Sequence, residues 1–335
     1  MQKIALVVTS ISKPNEVLKS LAQGCAGHDW DFTLVGDAKS PPEFKLDSCN
    51  YYGIEDQLGT GFLTADKCLR NHYARKNIGY LIAIKKGAGI IVETDDDNLP
   101  QPGFWLKRDK TKEARFIDEQ GWVNVYRYFS DKNIWPRGLP LNRIHHQVQQ
   151  NPADLKFKQI ECPIQQGLAD NNPDVDAIYR LVMPLPVQFE AAADIALAPG
   201  VWSPFNSQNT TWWEEAFPLL YLPSYCSFRM TDIWRSLIAQ KIAWANQWSV
   251  LFHAPTVCQE RNEHNLMKDF ADEVTGYLQV ETIQHILSGI TITPGAQHIP
   301  DAMRLCYSHL IDAKIFDPKE KDILDAWLND LKNLT

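Results

Sequence analysis

The chain has 335 residues, 44% of them hydrophobic, and a formal net charge of -8. That length supports one large domain or two ordinary ones, and the negative balance excludes nucleic-acid binding through overall charge. Seven cysteines with no C-x-x-C pair fit neither a zinc ribbon nor a disulfide scaffold, and favour a reducing compartment.

Residues 4–8 form an apolar run too short for a signal-peptide core or a membrane span. No later stretch reaches spanning length, so a soluble, cytoplasmic protein is expected. Residues 3–8 read as a buried strand, and Ser12 and Pro14 as the start of a helix running to about Gly24 or Gly27. Residues 31–35, DFTLV, read as a second strand, followed by the turn residues GDAKSPP. Leu69, Tyr73, Ile78, Leu81 and Ile84 sit near helical spacing and predict one long amphipathic helix over 64–86, closed by Gly87. Residues 90–93 are the next strand. This alternation predicts a parallel sheet covered by helices.

The middle, residues 100–260, is rich in Trp, Pro and Asn. GWVNVYRYF reads as a strand, and WPRGLPL and APGVWSPFNSQNTTWW as ordered loops. Residues 265–335 read as helical, with KDILDAWLNDLKNL a clean amphipathic example.

Asp95, Asp96 and Asp97 follow the strand at 90–93 directly. Adjacent carboxylates repel, and more so near a low-dielectric core. Ligands of open α/β sheets bind at such strand ends. Asp95 and Asp97, two apart, can hold a hard cation such as Mg²⁺ or Mn²⁺ that also grips a diphosphate. Arg75, Lys76 and Asn77 lie on the helix feeding that strand; alone they read as a solvated basic face. Asp37 and Lys39 follow the second strand and alone read as a polar turn.

Several stretches resemble the STELLO-type glycosyltransferases: VGDAKSP (35–41), RKNIGYLIAIKKGAGIIVETDDDN (75–98), WPRGLPL (135–141), QQGLADNNPDVDAIYRL (165–181), PFNSQNTTWW (204–213), SFRMTDIWRS (227–236) and APTVCQERNEHN (254–265). They span roughly residues 1 to 265. The resemblance implies an α/β, GT-A-like and Rossmann-related fold with a mostly parallel sheet flanked by helices and a helical C-terminal appendage. The expected division is a glycosyltransferase domain over 1–262, with a nucleotide-binding half (1–100) and an acceptor half (101–262), then a helical region over 263–335. It implies transfer of a sugar from a nucleotide diphosphate sugar, with Mn²⁺ or Mg²⁺, to a carbohydrate or glycolipid acceptor, in surface-polysaccharide synthesis. Plant members are Golgi membrane proteins; this sequence shows no anchor, which argues against that location. The helical tail is expected to cover its own core, with dimerisation or contact with a membrane surface as the other uses.

On this resemblance Asp95 and Asp97 are the metal and diphosphate motif, with Asp96 facing the sugar or ribose. Asp37 is placed near the base and Arg75 near the phosphates or ribose; Thr9, Lys39 and Asn77 complete the donor-binding set. Asp232, before a predicted helix, resembles the base of inverting enzymes, although Thr231 or Asp232 would also serve as an N-cap. Asp174 is its main rival, with Asp170 and Asp176 beside it. A third metal ligand from a C-terminal histidine would be His264 in preference to His253, and the adjacent His145 and His146 read as structural. Trp202, Trp212 and Trp213 offer flat faces for a sugar acceptor or simply fill the core, and residues 200–208 could close over the donor. The alternatives are a nucleotide-sugar mutase, a nucleotidyltransferase lacking its usual Gly-rich loop, or a non-catalytic scaffold on the same fold.

Overall fold

The structure is a computed structural model that describes residues 2–144, 150–260 and 265–334. In chain order the elements are β1 (Ile4–Thr9), α1 (Glu16–His28), β2 (Asp31–Val35), β3 (Asn50–Tyr52), α2 (Ile54–Leu58), α3 (Leu63–Lys67), α4 (Lys76–Lys85), β4 (Ile90–Thr94), β5 (Asn98–Pro100), β6 (Thr111–Ile117) and β7 (Gly121–Trp122). There follow β8 (Phe157–Glu161), β9 (Ile164–Asp170), α5 (Ala177–Val182), β10 (Ile195–Leu197), β11 (Val201–Trp202), β12 (Asn209–Trp213), α6 (Thr231–Ala245), β13 (Val250–Gln259), α7 (Leu266–Gly289), α8 (Ile299–Asp312) and α9 (Glu320–Leu334).

The main sheet runs β3-β2-β1-β4-β12-β9-β13-β10-β6-β8, with β5 on β13. Its first four strands are parallel. Strand side chains alternate between faces, and β1 shows the consequence: Leu6 and Val8 pack under α1, while Ala5 and Val7 pack under α4. From β12 onward parallel and antiparallel pairs mix. The expected α/β sheet flanked by helices, with a helical C-terminal region, is therefore present.

β12 is antiparallel to β4 and pairs Asn209 with Thr94. The chain entering β12 thus lies beside the end of β4 that carries the aspartates.

Two local expectations differ. The helix expected over 64–86 is broken into α3 and α4. Asn71 adopts a left-handed φ of 53°, and its amide, like that of His72, donates to the Asp37 carboxylate at 2.8 and 2.9 Å. That tie to the loop after β2 pulls residues 68–72 out of helical geometry. The strand expected over 121–129 is only Gly121–Trp122. Val123, Val125, Tyr126, Tyr128 and Phe129 are all buried, and the chain coils through a 3₁₀ turn over Val125–Tyr128, since an apolar run without alternation does not select a strand.

The C-terminal helices pack on their own chain. The Asp330 carboxylate accepts from the amides of Leu63 (3.0 Å) and Thr64 (2.7 Å), and Glu320 accepts from the Tyr221 hydroxyl (2.5 Å) and the Tyr225 amide (2.6 Å). One hydrophobic cluster runs from Ala5 to Leu331. No helix among the described residues is long and apolar enough to cross a membrane.

Candidate active site

A cleft of about 460 Å³ opens at the C-terminal ends of β1, β2 and β4. Three walls meet there. The strand ends supply Thr9, Asp37 and the acidic trio; the segment before α4 supplies Asn71, His72 and Tyr73; the start of α6 and two distant loops supply Asp232, Arg137 and Asp174.

The trio occupies the turn between β4 and β5. Asp95 Oδ1 accepts from the Tyr73 hydroxyl at 2.6 Å and from Lys76 Nζ at 3.1 Å. Lys76 is fully buried, and its ammonium also reaches the Tyr73 oxygen and the Thr94 carbonyl, each at 2.7 Å. Burial pushes the Asp95 carboxyl above its usual range, and Lys76 and Tyr73 oppose that shift. Asp96 accepts from the Ser10 hydroxyl, and its backbone carbonyl takes the Asn15 amide at 2.9 Å. Asp97 accepts from Gln259 Nε2 at 3.1 and 3.2 Å. Beneath them Glu93 is fully buried against Arg235 at 2.8 Å and Trp212 Nε1 at 2.8 Å. A buried charge needs such a partner.

The opposite wall is a second charged cluster. Arg137 binds Asp174 through two parallel bonds of 2.8 Å and binds Asp232 at 3.0 and 3.1 Å. Asp232 Oδ2 also accepts from the Ser207 amide and hydroxyl, both at 3.2 Å. Burial alone would raise the Asp232 carboxyl; Arg137 and then Arg235 outweigh it and hold the group below the usual carboxylate range. The Ser207 hydroxyl lies 2.7 Å from the Tyr73 hydroxyl, so the two walls touch through side chains.

Of the residues singled out in the sequence, Thr9, Asp37, Lys39, Arg75, Asp95, Asp96, Asp97, Asp174 and Asp232 all line this one cleft. Asn77 does not: it is buried, and its amide binds the backbone of Leu222 at 2.9 and 2.8 Å. Lys76 is not on a solvated face, because α4 turns it toward the carbonyls at the end of β4. The Asp37 carboxylate is occupied by the amides of Ala38, Asn71 and His72. Arg75 is buried against Gln57 Oε1 at 2.5 and 2.8 Å.

Asp170 accepts from Phe189 N and Gln101 Nε2 and is outside the cleft. Asp176 caps α5. His253 is half-buried in β13, with Nδ1 on the Ala254 carbonyl, and desolvation lowers its pKa to about 4. Trp202, Trp212 and Trp213 are core, and Ser203, Asn206, Ser207 and Gln208 are buried in a hydrogen-bonded segment. His264, His145 and His146 lie outside the described residues. Sequence reasoning did not single out Tyr73, Ser207, Arg180, Arg229, Phe228 or Gln259 as site residues, although all but Ser207 line the cleft. Arg137, Arg180, Ser207, Phe228, Arg229 and Gln259 lie within the motif stretches quoted above, which was the available signal.

Among the described residues no group of three or more His, Cys, Asp or Glu is gathered to hold a metal. The donors that remain, Asp95 and Asp97, are oxygen-only. That set fits a hard cation which takes one or two carboxylates and completes its shell with phosphates and water.

The family model described as STELLO glycosyltransferases matches residues 229–335. Two curated proteins of Arabidopsis thaliana align over most of the chain. "Probable glycosyltransferase STELLO1" is 28% identical over 272 residues, covering 75% of this chain, and "Probable glycosyltransferase STELLO2" is 28% identical over 296 residues, covering 82%. This chain is thus similar in sequence to STELLO glycosyltransferases. It spans about a third of the length of these curated relatives, 34% and 38%. The family model's match begins three residues before Asp232, takes in most of the stretch 227–236 and all of 254–265, and runs on through the helical tail, where none of the quoted stretches lies. Among solved structures, "Crystal Structure of a Mycobacterial Protein" aligns at TM-score 0.42 and 10% identity, covering 83% of this chain and 74% of that one. A glucosyl-3-phosphoglycerate synthase of Mycobacterium tuberculosis, in complex with Mn²⁺, UDP and glucosyl-3-phosphoglycerate, aligns at TM-score 0.42 and 11% identity, covering 87% and 81%. Likenesses this distant say nothing of substrate or chemistry.

Proposed function

We propose that the cleft is the active site of a metal-dependent glycosyltransferase that moves a sugar from a nucleotide diphosphate sugar to a hydroxyl acceptor. One observation carries this reading: the acidic trio at the end of β4 and Asp232 at the start of α6, 135 residues apart in sequence, face the same cleft. A donor needs the first and an acceptor hydroxyl needs the second.

A divalent cation held by Asp95 and Asp97, with His264 as a candidate third ligand, would offset charge on the departing diphosphate. Thr9, Lys39 and Arg75 line the nucleotide side. Asp37 acts indirectly there, by fixing the backbone at Asn71 and His72. Asp232 is the proposed base. Its Oδ2 is held by Ser207 and Arg137, so its position is set before any acceptor arrives. Asp174 shares Arg137 and balances that charge. The acceptor is proposed to be a carbohydrate or glycolipid, in the synthesis of a surface polysaccharide.

A thermal-shift screen of the chain against UDP, GDP and their sugars, with Mn²⁺, Mg²⁺ or chelator, tests the reading, because a ligand that binds only the native state raises Tm. A metal-dependent rise with one nucleotide is expected, and Asp97→Asn is expected to remove it and sugar transfer together while the circular dichroism is unchanged. Near-normal transfer by Asp97→Asn would refute the metal role.

A further inference from the structure

The acidic trio and the Asp232 cluster are joined by two hydroxyl groups. The path runs from Asp95 Oδ1 to the Tyr73 hydroxyl (2.6 Å), on to Ser207 Oγ (2.7 Å), and on to Asp232 Oδ2 (3.2 Å). Ser207 is buried and Tyr73 is half-buried at the cleft wall. Each hydroxyl has a single proton and more than one acceptor in reach. Lys76 donates to the Tyr73 oxygen, so the Tyr73 proton goes either to Asp95 or to Ser207. The Ser207 proton goes either to Tyr73 or to Asp232. These choices are linked. While Tyr73 donates to Asp95, the 2.7 Å contact requires Ser207 to donate back to Tyr73, and Asp232 Oδ2 keeps the Ser207 amide and Arg137 as its two donors. If Tyr73 turns to Ser207, the Ser207 proton turns to Asp232. Two hydroxyl rotations separate the states, and no proton leaves its oxygen.

We propose that Tyr73 and Ser207 are positioning residues that couple Asp95 to Asp232. Were Asp95 to hold a cation, its Oδ1 would be less available to the Tyr73 hydroxyl. Tyr73 and Ser207 would then turn toward Asp232 and add a third donor to its Oδ2, leaving the carboxylate fixed when the donor is loaded. This functional consequence rests on the reading of the cleft given above; the coupling itself does not.

Both links can be cut without stranding a charge. In Tyr73→Phe, Lys76 retains the Thr94 carbonyl, Asp95 and the Ser207 carbonyl as acceptors for its three protons. In Ser207→Ala, Asp232 retains Arg137 and the backbone amide. The test is a double-mutant cycle of Asp95→Asn and Asp232→Asn, read as the urea-unfolding constant without ligand, in the parent chain, in Tyr73→Phe and in Ser207→Ala. In the parent, the effect of Asp232→Asn should change roughly threefold or more when Asp95 is also replaced. In each hydroxyl-deleted background it should fall by the same amount, to the through-space remainder. Equal coupling in all backgrounds overturns the relay.

A second arm uses Mn²⁺ with UDP as the probe. Asp232→Asn should alter the Mn²⁺/UDP thermal shift in the parent and leave it unaltered in Tyr73→Phe; the same alteration in both also overturns the relay. If the parent shows no Mn²⁺/UDP shift, UDP is not its donor nucleotide, while the unfolding cycle still decides the coupling.

Discussion

Asp176 caps α5 with one oxygen on the Tyr179 amide and the other on Trp135 Nε1, both at 2.7 Å. Burial pushes its carboxyl up to about 6, against those two bonds, and Glu273 and Asp174 add to the rise. The folded value lies above the unfolded one, so its stabilising contribution is present below about pH 4 and is lost as pH rises through 6. Asp176→Asn gives up the Trp135 bond at every pH but does not titrate. The advantage of the parent over Asp176→Asn should therefore shrink by about 2–3 kcal/mol between pH 4 and pH 7. Urea midpoints of both proteins at the two pH values check this, and a pH-independent gap would contradict it. Residue identity did reveal the acidic trio, because three adjacent carboxylates at a strand end have few structural uses. It could not reveal Lys76. Burying that ammonium requires acceptors from Thr94 and Ser207, and nothing near position 76 shows them.

At the scale of elements, α4 lies flush on the parallel strands. A Cβ at Gly79 would meet Val35 Cγ2 and Val7 Cγ1 at 2.7 Å. Alanine is favoured over glycine inside a helix by about 1 kcal/mol, but forcing a methyl into a packed core costs about 1–3 kcal/mol. Gly79→Ala should thus lower the urea midpoint without changing the m-value; a raised midpoint would show that α4 has slack. Any outward shift of α4 also displaces Lys76 and Tyr73, so nucleotide binding should weaken in the same variant. The strands of the nucleotide half were legible because β-branched runs alternate there with helical spacing. The break between α3 and α4 was not, since apolar spacing continues through residues 68–72 and only the distant Asp37 pulls the chain aside.

For the whole molecule, the helical tail is tied into the rest. Trp327 is fully buried, with its Nε1 on the Pro218 carbonyl at 3.0 Å. Glu320 and Asp330 satisfy amides of Leu63, Thr64, Ser224 and Tyr225. Deleting residues 319–335 would leave those amides unpaired and open the large cluster to water, and unpaired buried groups cost about 1–3 kcal/mol each. The shortened chain should lose its near-UV dichroism and its cooperative unfolding transition. A sharp transition in that variant would mean the tail is dispensable.

The amino-acid sequence by itself determined the alternation of strands and helices, the strand end that carries the aspartates and the amphipathic tail. Those features follow from local periodicity and from charge repulsion between neighbours. Tertiary structure decided which carboxylates share a cleft, which cations are buried among them, and that Asn77 serves the Leu222 backbone instead of a ligand. A buried polar group is defined by partners that satisfy it, and at this site those partners come from strands, loops and helices far apart in the chain.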